Sequence, residues 1–394
     1  MSRRRRRTEP AARERRGRWG TVLLALMGLD VGGAETHVLT LARHLQAMGW
    51  RVLVASNGGI YQPELEQLQI PHYQLPLHSA GGLALPRSVL GLRSLLRREQ
   101  VDLIHAHGRI PAFAADCARA GLGIPLLVTA HARFRAPFHL RLLSRWGDRT
   151  IAVSPDLRDH LERHFGVPGE RIAVIPNGID TDRFSPQGET DRRKQGDPLL
   201  VSLSRLDRQL TDTALALIEA VLLLRLEQPG IRLLLAGAGE GREEVTQRAQ
   251  AVNQVAGVEL VTFVGALPAV APLLRTADLV VGVSRAAMEA MACARPVLLA
   301  GGEGMAGLLL PSDLAFHARD NFTARQAGAP VNPEALAGGI RRYLALTPRE
   351  RTELGRQLRG FVLEHCSSRE MVRATVAVYY SLLRANAPPG EAKP

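Results

Sequence analysis

The sequence predicts an α/β protein with two doubly wound domains, and three observations lead to this prediction. The chain has 394 residues, more than one ordinary hydrophobic core holds. Apolar β-type runs alternate with helical patterns, which is typical of parallel sheets covered by helices. A polar stretch over residues 185–198 interrupts this alternation, which then begins again. We therefore expect two similar domains joined near residue 190.

Each domain is assigned its own set of strands. In the first half, apolar runs predict strands at residues 21–27, 50–55, 103–105, 126–130 and 150–153, with helices such as 35–48 and 86–99 between them. In the second half, the predicted strands are residues 199–203, 232–236, 259–264, 278–283 and 296–300. The predicted boundaries are residues 1–19 for a disordered basic arm, 20–185 and 186–365 for the two domains, 366–385 for a C-terminal helix that packs back toward the first domain, and 386–394 for a tail.

The positive charge is concentrated at the N-terminus. The chain has a net charge of +12, and residues 1–18 contain nine arginines against Glu9 and Glu14. Because the remaining body is nearly balanced, the charge does not predict nucleic-acid binding. The arm is either a solvated tail or a contact for anionic phospholipid.

The three cysteines, Cys117, Cys293 and Cys366, are far apart in the sequence. No CxxC pair and no Cys/His cluster with metal-ligand spacing occurs, so we expect neither a disulfide framework nor a metal site. No apolar run is long enough to span a bilayer, and the N-terminus lacks the apolar stretch of a signal peptide. These features predict a cytoplasmic protein, with peripheral association at the inner face of the membrane as the alternative.

Two loops after predicted strands contain several glycines. Residues 28–35, GLDVGGAE, follow the first strand, where backbone N–H groups at a helix start suit a phosphate or a sugar. An ordinary strand-to-helix turn is the alternative for this loop. Residues 237–241, GAGEG, follow a strand of the second half, but Arg242 occupies the position of the third glycine of a dinucleotide fingerprint.

Arg205 and Glu289 are the strongest candidates for ligand contacts in the second half. Arg205 follows an apolar strand, where a guanidinium can hold two phosphate oxygens in a fixed geometry. Glu289 lies near the start of a helix, where its carboxylate can accept from ribose hydroxyls. The alternative for Glu289 is a simple interaction with the helix dipole.

The ordered set of motifs resembles the retaining glycosyltransferases of the GT-B fold, family 4 (glycosyl transferases group 1), across residues 20–385. The matching segments are GGAETHVLTLARHLQAMGWRVLVAS (32–56), DLIHAH (102–107), VTAH (128–131), IAVS (151–154), VIPNGIDTDRF (174–184), SRLD (204–207), LAGAG (235–239) and MEAMACARPV (288–297). The resemblance implies two Rossmann-like domains facing a cleft, a nucleotide-sugar donor held mainly by the second domain, and an acceptor held by the first. It implies no metal and no cofactor besides the donor substrate.

The resemblance also implies roles for individual residues. Three residues are assigned to catalysis: His131 matches the histidine that reaches the transferred sugar, Arg205 the diphosphate-binding arginine, and Glu289 the second glutamate of a Glu-x7-Glu motif. Four glycines match donor-binding loops, namely Gly32, Gly33, Gly237 and Gly239.

Two departures from the family pattern concern the donor site. The family usually has a lysine five residues after the arginine, where this chain has Leu210, so Arg208 becomes the substitute cation. The first glutamate of Glu-x7-Glu would fall at Val281, inside a strand. We therefore expect three other residues to contact the donor, namely Ser284, Arg285 and Glu303.

Three functions remain open from the sequence. The leading one is a hexosyltransferase-type, metal-independent retaining glycosyltransferase acting on a cell-envelope, polysaccharide or lipid-linked acceptor. The second is a non-catalytic GT-B scaffold that binds a nucleotide sugar or a partner enzyme, and it predicts nucleotide binding without turnover. The third is a nucleotide-sugar epimerase, another activity carried on this fold, although the NGIDT, SRLD and MEAMA segments favour transferases. The fold alone cannot decide between these activities, because a shared fold does not determine function.

Overall fold

The computed structural model describes residues 19–30, 32–134, 141, 144–186, 197–267 and 269–386. The predicted basic arm up to residue 18, most of the polar linker, and the predicted tail from residue 387 lie outside these described residues. The chain divides into two compact units. Unit 1 consists of the residues up to Ile175 together with those from Met371, and unit 2 runs from Pro176 to Glu370.

Both unit boundaries differ slightly from the predicted domain boundaries. The first lies between residues 175 and 176 rather than after residue 185. Ile179 and Phe184 explain the difference, because both side chains are buried in a core of unit 2. The backbone N–H of Ile179 also donates to the carbonyl of Cys366, whose side chain is buried in the same core. The segment after Ile175 therefore contributes its apolar contacts to the second unit.

Unit 1 contains a parallel sheet that is covered by helices. Its seven described strands are β1 (Thr21–Leu26), β2 (Arg51–Ser56), β3 (His72–Gln74), β4 (Leu103–His107), β5 (Leu126–Ala130), β6 (Arg149–Ala152) and β7 (Ile172–Val174). Their order is β3-β2-β1-β4-β5-β6-β7. The helices that follow the strands are α1 (Gly33–Ala47), α2 (Gln62–Gln67), α3 (Ala84–Arg98), α4 (Arg109–Arg119) and α5 (Pro155–Phe165). Strand β1 is buried along its whole length, as expected for a strand with helices on both faces.

Unit 2 repeats this plan with one exception. Its described strands are β8 (Leu199–Arg205), β9 (Arg232–Ala238), β10 (Val261–Phe263), β11 (Leu279–Gly282), β12 (Val297–Gly301) and β13 (Gly304–Leu308), in the order β10-β9-β8-β11-β12-β13. The helices are α6 (Arg208–Leu224), α7 (Arg242–Ala256), α8 (Ala271–Thr276), α9 (Ser284–Ala292), α10 (Leu314–Ala318), α11 (Pro333–Leu344) and α12 (Pro348–His365). The exception is β13, which pairs antiparallel with β12 at the edge of the sheet.

Helix α13 (Ser368–Ala385) is the last described element, and most of it belongs to unit 1. Five of its side chains are buried in the same core as strand β1, namely Met371, Val372, Val376, Tyr379 and Leu382. The Tyr379 hydroxyl also hydrogen-bonds Nδ1 of His105 at 2.7 Å. Trp19, assigned to the basic arm by the sequence, lies 6.1 Å from Tyr380 between ring centroids. The two ends of the described chain therefore meet in unit 1.

Local sequence signals explain several helix starts in unit 2. The Asp207 carboxylate accepts from the backbone N–H of Leu210 at the start of α6. Asn332 caps α11, and Thr347 with Glu350 forms a capping box at the start of α12. Caps of this kind contribute about 1 kcal/mol each. Among the described residues, no helix combines the length and apolar character that crossing a bilayer requires.

Candidate functional site

Each sheet has one point at which the strand order reverses. In unit 1 this point lies between β1 and β4, and in unit 2 it lies between β8 and β11. In open α/β sheets, ligands bind beyond the carboxyl ends of the strands at such a point. The residues predicted from the sequence follow strands around these two positions.

Arg205 is the last residue of β8, and its Cα lies opposite Ala238 of β9. Its side chain is exposed and forms no hydrogen bond or ion pair with any described residue. Arg208, the first residue of α6, is also exposed and also lacks such a partner within the described ranges. Two guanidinium groups three residues apart are therefore available to an anionic ligand.

Leu210 occupies the first turn of α6, where the family usually has a lysine. Its backbone N–H donates to Oδ1 of Asp207 at 3.1 Å, and its side chain is half-buried. This position therefore supplies no cation to the end of β8, and Arg205 and Arg208 are the basic groups of the turn.

Gly237 and Gly239 allow the end of β9 to pack directly on the end of β8. A Cβ at Gly237 would lie 2.0 Å from the carbonyl oxygen of Ser204, and one at Gly239 would lie 2.4 Å from that of Leu206. Gly239 also has a φ of +149°, which side chains rarely adopt. These glycines hold the backbone that presents Arg205. A direct contact with a nucleotide remains a prediction for both.

Ser284 begins α9 with a φ of +53°. Its N–H donates to the carbonyl of Phe322 at 2.7 Å, and its Oγ accepts from Nδ2 of Asn321 at 2.9 Å. Asn321, Phe322 and Ala324 also have positive φ values. A residue other than glycine in this region costs roughly 1–3 kcal/mol and persists where its surroundings hold it. The turn after β11 is thus supported by a second, unpredicted turn at residues 320–324.

Arg285 and Glu289 form an ion pair on α9. Nε of Arg285 donates to Oε1 of Glu289 at 2.8 Å, and Nη1 donates to the carbonyl of Gly178 at 3.3 Å. The side chains are 13% and 9% exposed. Burial raises the pKa of Glu289, and the Arg285 guanidinium opposes that rise. Oε2 of Glu289 accepts no hydrogen bond from the described residues, so one carboxylate oxygen is available for a hydroxyl.

Glu303 lies in the short loop between β12 and β13. Its Oε2 is 3.5 Å from Nη1 of Arg325. A Cβ at the preceding Gly302 would lie 2.7 Å from Cβ of Gln209 in the first turn of α6. The loop that carries Glu303 therefore lies next to the turn that carries Arg208.

In unit 1, Gly32 and Gly33 lie at the start of α1. Gly32 has extended backbone, and its carbonyl accepts from the N–H and Oγ1 of Thr36. A Cβ at Gly32 would lie 2.1 Å from Oε2 of Glu35. The loop therefore carries a carboxylate beside its glycines.

His131 follows β5 at the carboxyl edge of the same sheet and has two histidines as neighbours. His107 ends β4, and its Nδ1 is 3.0 Å from Nε2 of His131. His37 lies on α1, with its ring centroid 4.9 Å from that of His131. One ligand atom from each of the three residues falls within 4.8 Å of the others.

A fourth histidine lies beside this group. His105 bonds Tyr379 through Nδ1 and Oγ1 of Thr129 through Nε2, both at 2.7 Å, and its ring centroid is 4.1 Å from that of His107. Burial lowers the pKa of His105 to about 3, with a smaller contribution from His131. Burial and the neighbouring histidines place the pKa of His107 well below its ordinary value. Both rings are therefore neutral at pH 7.

His37, His107 and Asn321 were not among the site residues predicted from the sequence. For His107 a signal existed, because His105 and His107 alternate along one strand and alternate residues share a face. His37 and Asn321 come together with their neighbours only through the fold. Arg285 and Glu289 are four residues apart on one helix, so their pairing was also readable from spacing.

Comparison with known proteins agrees with this arrangement. Residues 31–183 match the family model described as Glycosyltransferase Family 4, and residues 197–345 match Glycosyl transferases group 1. The chain belongs to family 4 of the GT-B glycosyltransferases. The predicted family and the prediction of a glycosyltransferase are thereby confirmed. The two doubly wound sheets confirm the predicted fold class.

Curated relatives are also glycosyltransferases, but their sequence identity to this chain is too low to assign their substrate to it. A D-inositol 3-phosphate glycosyltransferase from Geodermatophilus obscurus is 26% identical, over 82% of this chain and 83% of the relative. One from Pseudarthrobacter chlorophenolicus is 29% identical, over 75% of this chain and 82% of the relative.

Solved structures share the fold of this glycosyltransferase. A glycosyltransferase from Rickettsia africae has a TM-score of 0.75 at 18% identity and covers 92% of this chain and 99% of its own. HepE from Anabaena, solved in complex with UDP and glucose, has a TM-score of 0.70 at 20% identity and covers 91% of this chain and 99% of its own.

Proposed function

We propose that this glycosyltransferase moves a hexose from a nucleotide-sugar donor to a cell-envelope, polysaccharide or lipid-linked acceptor and retains the anomeric configuration. Relatives that act on D-inositol 3-phosphate and the UDP-bound HepE support a phosphorylated polyol and a uridine donor as the first pair to test. We propose a cytoplasmic location, with residues 3–18 as a peripheral contact for an anionic membrane.

This proposal rests mainly on Arg205. Its side chain is exposed at the strand-order reversal of unit 2 and has no partner among the described residues. A guanidinium in that place suits a diphosphate. Arg208 takes the role of second cation. Gly237 and Gly239 bring the neighbouring backbone close enough for an anionic group to approach.

The other predicted residues receive roles that follow from their positions. Oε2 of Glu289 accepts from a ribose hydroxyl while Oε1 stays paired with Arg285. His131, at the corresponding edge of unit 1, binds a hydroxyl of the transferred sugar. Gly32 and Gly33 approach the acceptor and the donor phosphate. Ser284 and Glu303 contact the donor from the turns that follow β11 and β12.

The chemistry requires one bond to break and one to form at the anomeric carbon. The diphosphate oxygen leaves with the bonding electron pair, an acceptor oxygen forms the new glycosidic bond, and the acceptor proton passes to the leaving diphosphate. Arg205 and Arg208 stabilise the charge that develops on that diphosphate. We propose that this stabilisation needs no metal ion.

Turnover with UDP-, GDP- and ADP-sugars, in the presence of a chelator, tests this proposal. We expect product from one donor class, with the donor's anomeric configuration in the product by NMR. His131→Ala is expected to leave nucleotide affinity within about twofold and to lower transfer at least tenfold, roughly 1.4 kcal/mol. Product of inverted configuration would contradict the mechanism, and loss of turnover with the chelator would contradict metal independence.

A non-catalytic scaffold is the second candidate, and Leu210 is the observation that favours it. If the missing cation matters, the chain binds a nucleotide sugar without turning it over. Leu210→Lys then becomes the informative variant, because it restores the family's usual residue. Turnover by Leu210→Lys together with none by the wild type would support the scaffold.

A further inference from the structure

Unit 1 contains a compact group of three histidines, His37, His107 and His131. The proposed sugar transfer uses only His131. The three residues come from three elements, namely α1, the end of β4, and the residue after β5. One ligand atom from each lies within 4.8 Å of the other two. The strand register places His107 beside Thr129, two residues before His131, so neighbouring parallel strands fix two of the three positions.

The spacing of the group fits a small tetrahedral cation. Zinc–imidazole bonds of about 2.0–2.1 Å at tetrahedral angles put neighbouring nitrogens about 3.3 Å apart. Nδ1 of His107 and Nε2 of His131 are 3.0 Å apart, within a few tenths of an ångström of that spacing. The ligand atom of His37 lies within 4.8 Å of the other two. Three histidine ligands leave the fourth position for water or a substrate oxygen, as in zinc sites with an open position.

The surroundings of His107 also point to a ligand. His37 and His107 are 2% and 3% exposed. Among the described residues, the His107 ring has one hydrogen-bond partner, Nε2 of His131, which contacts Nδ1. A cation bound between the two rings would replace that contact alone.

The position of His107 is supported from behind by His105. Both ring nitrogens of His105 are hydrogen-bonded, to Tyr379 and Thr129, and its ring lies 4.1 Å from that of His107 between centroids. A ligand ring held in place by ordered neighbours binds a cation with less loss of side-chain freedom. The group is thus preorganised on strands and a helix rather than on a long loop.

We propose that His37, His107 and His131 form a binding site for zinc or a similar divalent transition-metal cation, and that its occupation inhibits sugar transfer. Imidazole ligands select this class of cation over magnesium and calcium, which prefer oxygen. Inhibition follows because Nε2 of His131, once it coordinates the cation, has no lone pair left to accept from the sugar hydroxyl, and the ring is held toward the cluster. This second part rests on the role of His131 in the proposed function, whereas cation binding does not.

Direct binding is the first test, with tag-free full-length protein and a zinc-sensitive dye as competitor. We expect one zinc ion per chain, bound at least about tenfold more weakly by His37→Ala and by His131→Ala. His164→Ala is the matched control, because His164 pairs with His160 elsewhere in unit 1, with ring centroids 4.6 Å apart. Unchanged zinc affinity in both cluster variants, or a loss confined to His164→Ala, would overturn the site.

Cobalt spectroscopy provides a readout of geometry that does not depend on activity. Tetrahedral Co²⁺ absorbs visible light far more strongly than octahedral Co²⁺, so we expect intense bands in the wild type and weak ones in His37→Ala. Circular dichroism of each variant shows whether it is folded. Weak octahedral absorption in the wild type would overturn the proposed ligand set.

The effect on transfer separates this inference from the proposed function. Zinc is expected to lower wild-type turnover at least tenfold, with recovery on adding chelator, and to have little effect on His37→Ala relative to that variant's own metal-free rate. Zinc binding without turnover under any condition would support the site and contradict the proposed function. If saturating zinc left the wild-type turnover unchanged, the proposed inhibition by zinc would be overturned.

Discussion

His105 is a buried imidazole with both nitrogens hydrogen-bonded, and its protonation couples the stability of unit 1 to pH. An unfolded histidine has a pKa near 6.5, whereas burial lowers that of His105 to about 3. Between these values the unfolded chain binds a proton that the folded chain does not. The folded state therefore keeps its full stability with respect to His105 above pH 6.5. This stability is lost progressively as the pH falls from 6.5 toward 3.

His105→Gln tests this coupling. Glutamine can still bond Tyr379 and Thr129, but it does not gain a proton. The free energy of unfolding of the wild type is expected to fall more steeply between pH 6.5 and 5, by about 1.4 kcal/mol per pH unit relative to the variant. His78→Gln, at an exposed position, serves as the control and should follow the wild type. Parallel pH profiles for the wild type and His105→Gln would contradict the argument.

At the scale of an element, α9 combines a strained start with a buried ion pair. Ser284 has a positive φ, and the Arg285–Glu289 pair is nearly enclosed. Removing one member of a buried pair leaves the other charge without compensation. The helix therefore depends on Arg285 for stability as well as for the placement of Glu289.

Arg285→Ala is expected to lower the free energy of unfolding by about 3 kcal/mol or more in urea titrations. Adding Glu289→Gln to that variant should recover part of the loss, because it removes the unpaired charge. Arg158→Ala breaks a pair of the same i,i+4 spacing with Glu162, but both side chains are more exposed, at 44% and 34%. It should cost no more than about 0.5 kcal/mol. Equal costs for the two arginines would refute the distinction.

At the scale of the whole molecule, unit 1 is completed by a helix that follows unit 2 in the sequence. The five buried side chains of α13 contribute about 1.5–3 kcal/mol each. Their sum is comparable to the total stability of an ordinary domain. Unit 2, in contrast, is continuous from Pro176 to Glu370.

Fragments test this difference. Residues 176–370 are expected to unfold cooperatively by themselves, whereas residues 19–175 are expected to fold only when a peptide of residues 367–386 is added. Circular dichroism with thermal melts measures both. Cooperative unfolding of the 19–175 fragment alone, at the temperature seen in the full chain, would contradict the dependence on α13.

Sequence patterns were sufficient for the strands that are buried on both faces. Runs such as residues 21–27 and 126–130 are continuously apolar, so they stand out from their flanks. Three short edge or near-edge strands, β3, β7 and β13, were missed. β3 carries polar residues, and β13 begins at Gly304 and includes Gly307, both with positive φ, which weakens any strand signal.

The site was only partly readable, because its parts come together through tertiary structure. Arg205 follows a clear strand, so its place at the sheet edge could be predicted. The approach of His37 to His107 and His131 joins residues from three elements, and no spacing along the chain encodes it. The tie between Ser284 and Asn321 likewise depends on the packing of two turns.

The central claim is that Arg205 holds the diphosphate of a nucleotide-sugar donor. Calorimetric titration of the full-length protein with UDP, GDP, ADP and their sugar conjugates, without added metal, tests it most directly. The matched control is Arg232→Ala, because Arg232 is an exposed arginine at the amino end of the neighbouring strand. Micromolar binding of one nucleotide class, weakened at least tenfold, about 1.4 kcal/mol, in Arg205→Ala and unchanged in Arg232→Ala, is the expected result. Equal affinity in Arg205→Ala, or no binding of any of these ligands, would contradict the claim.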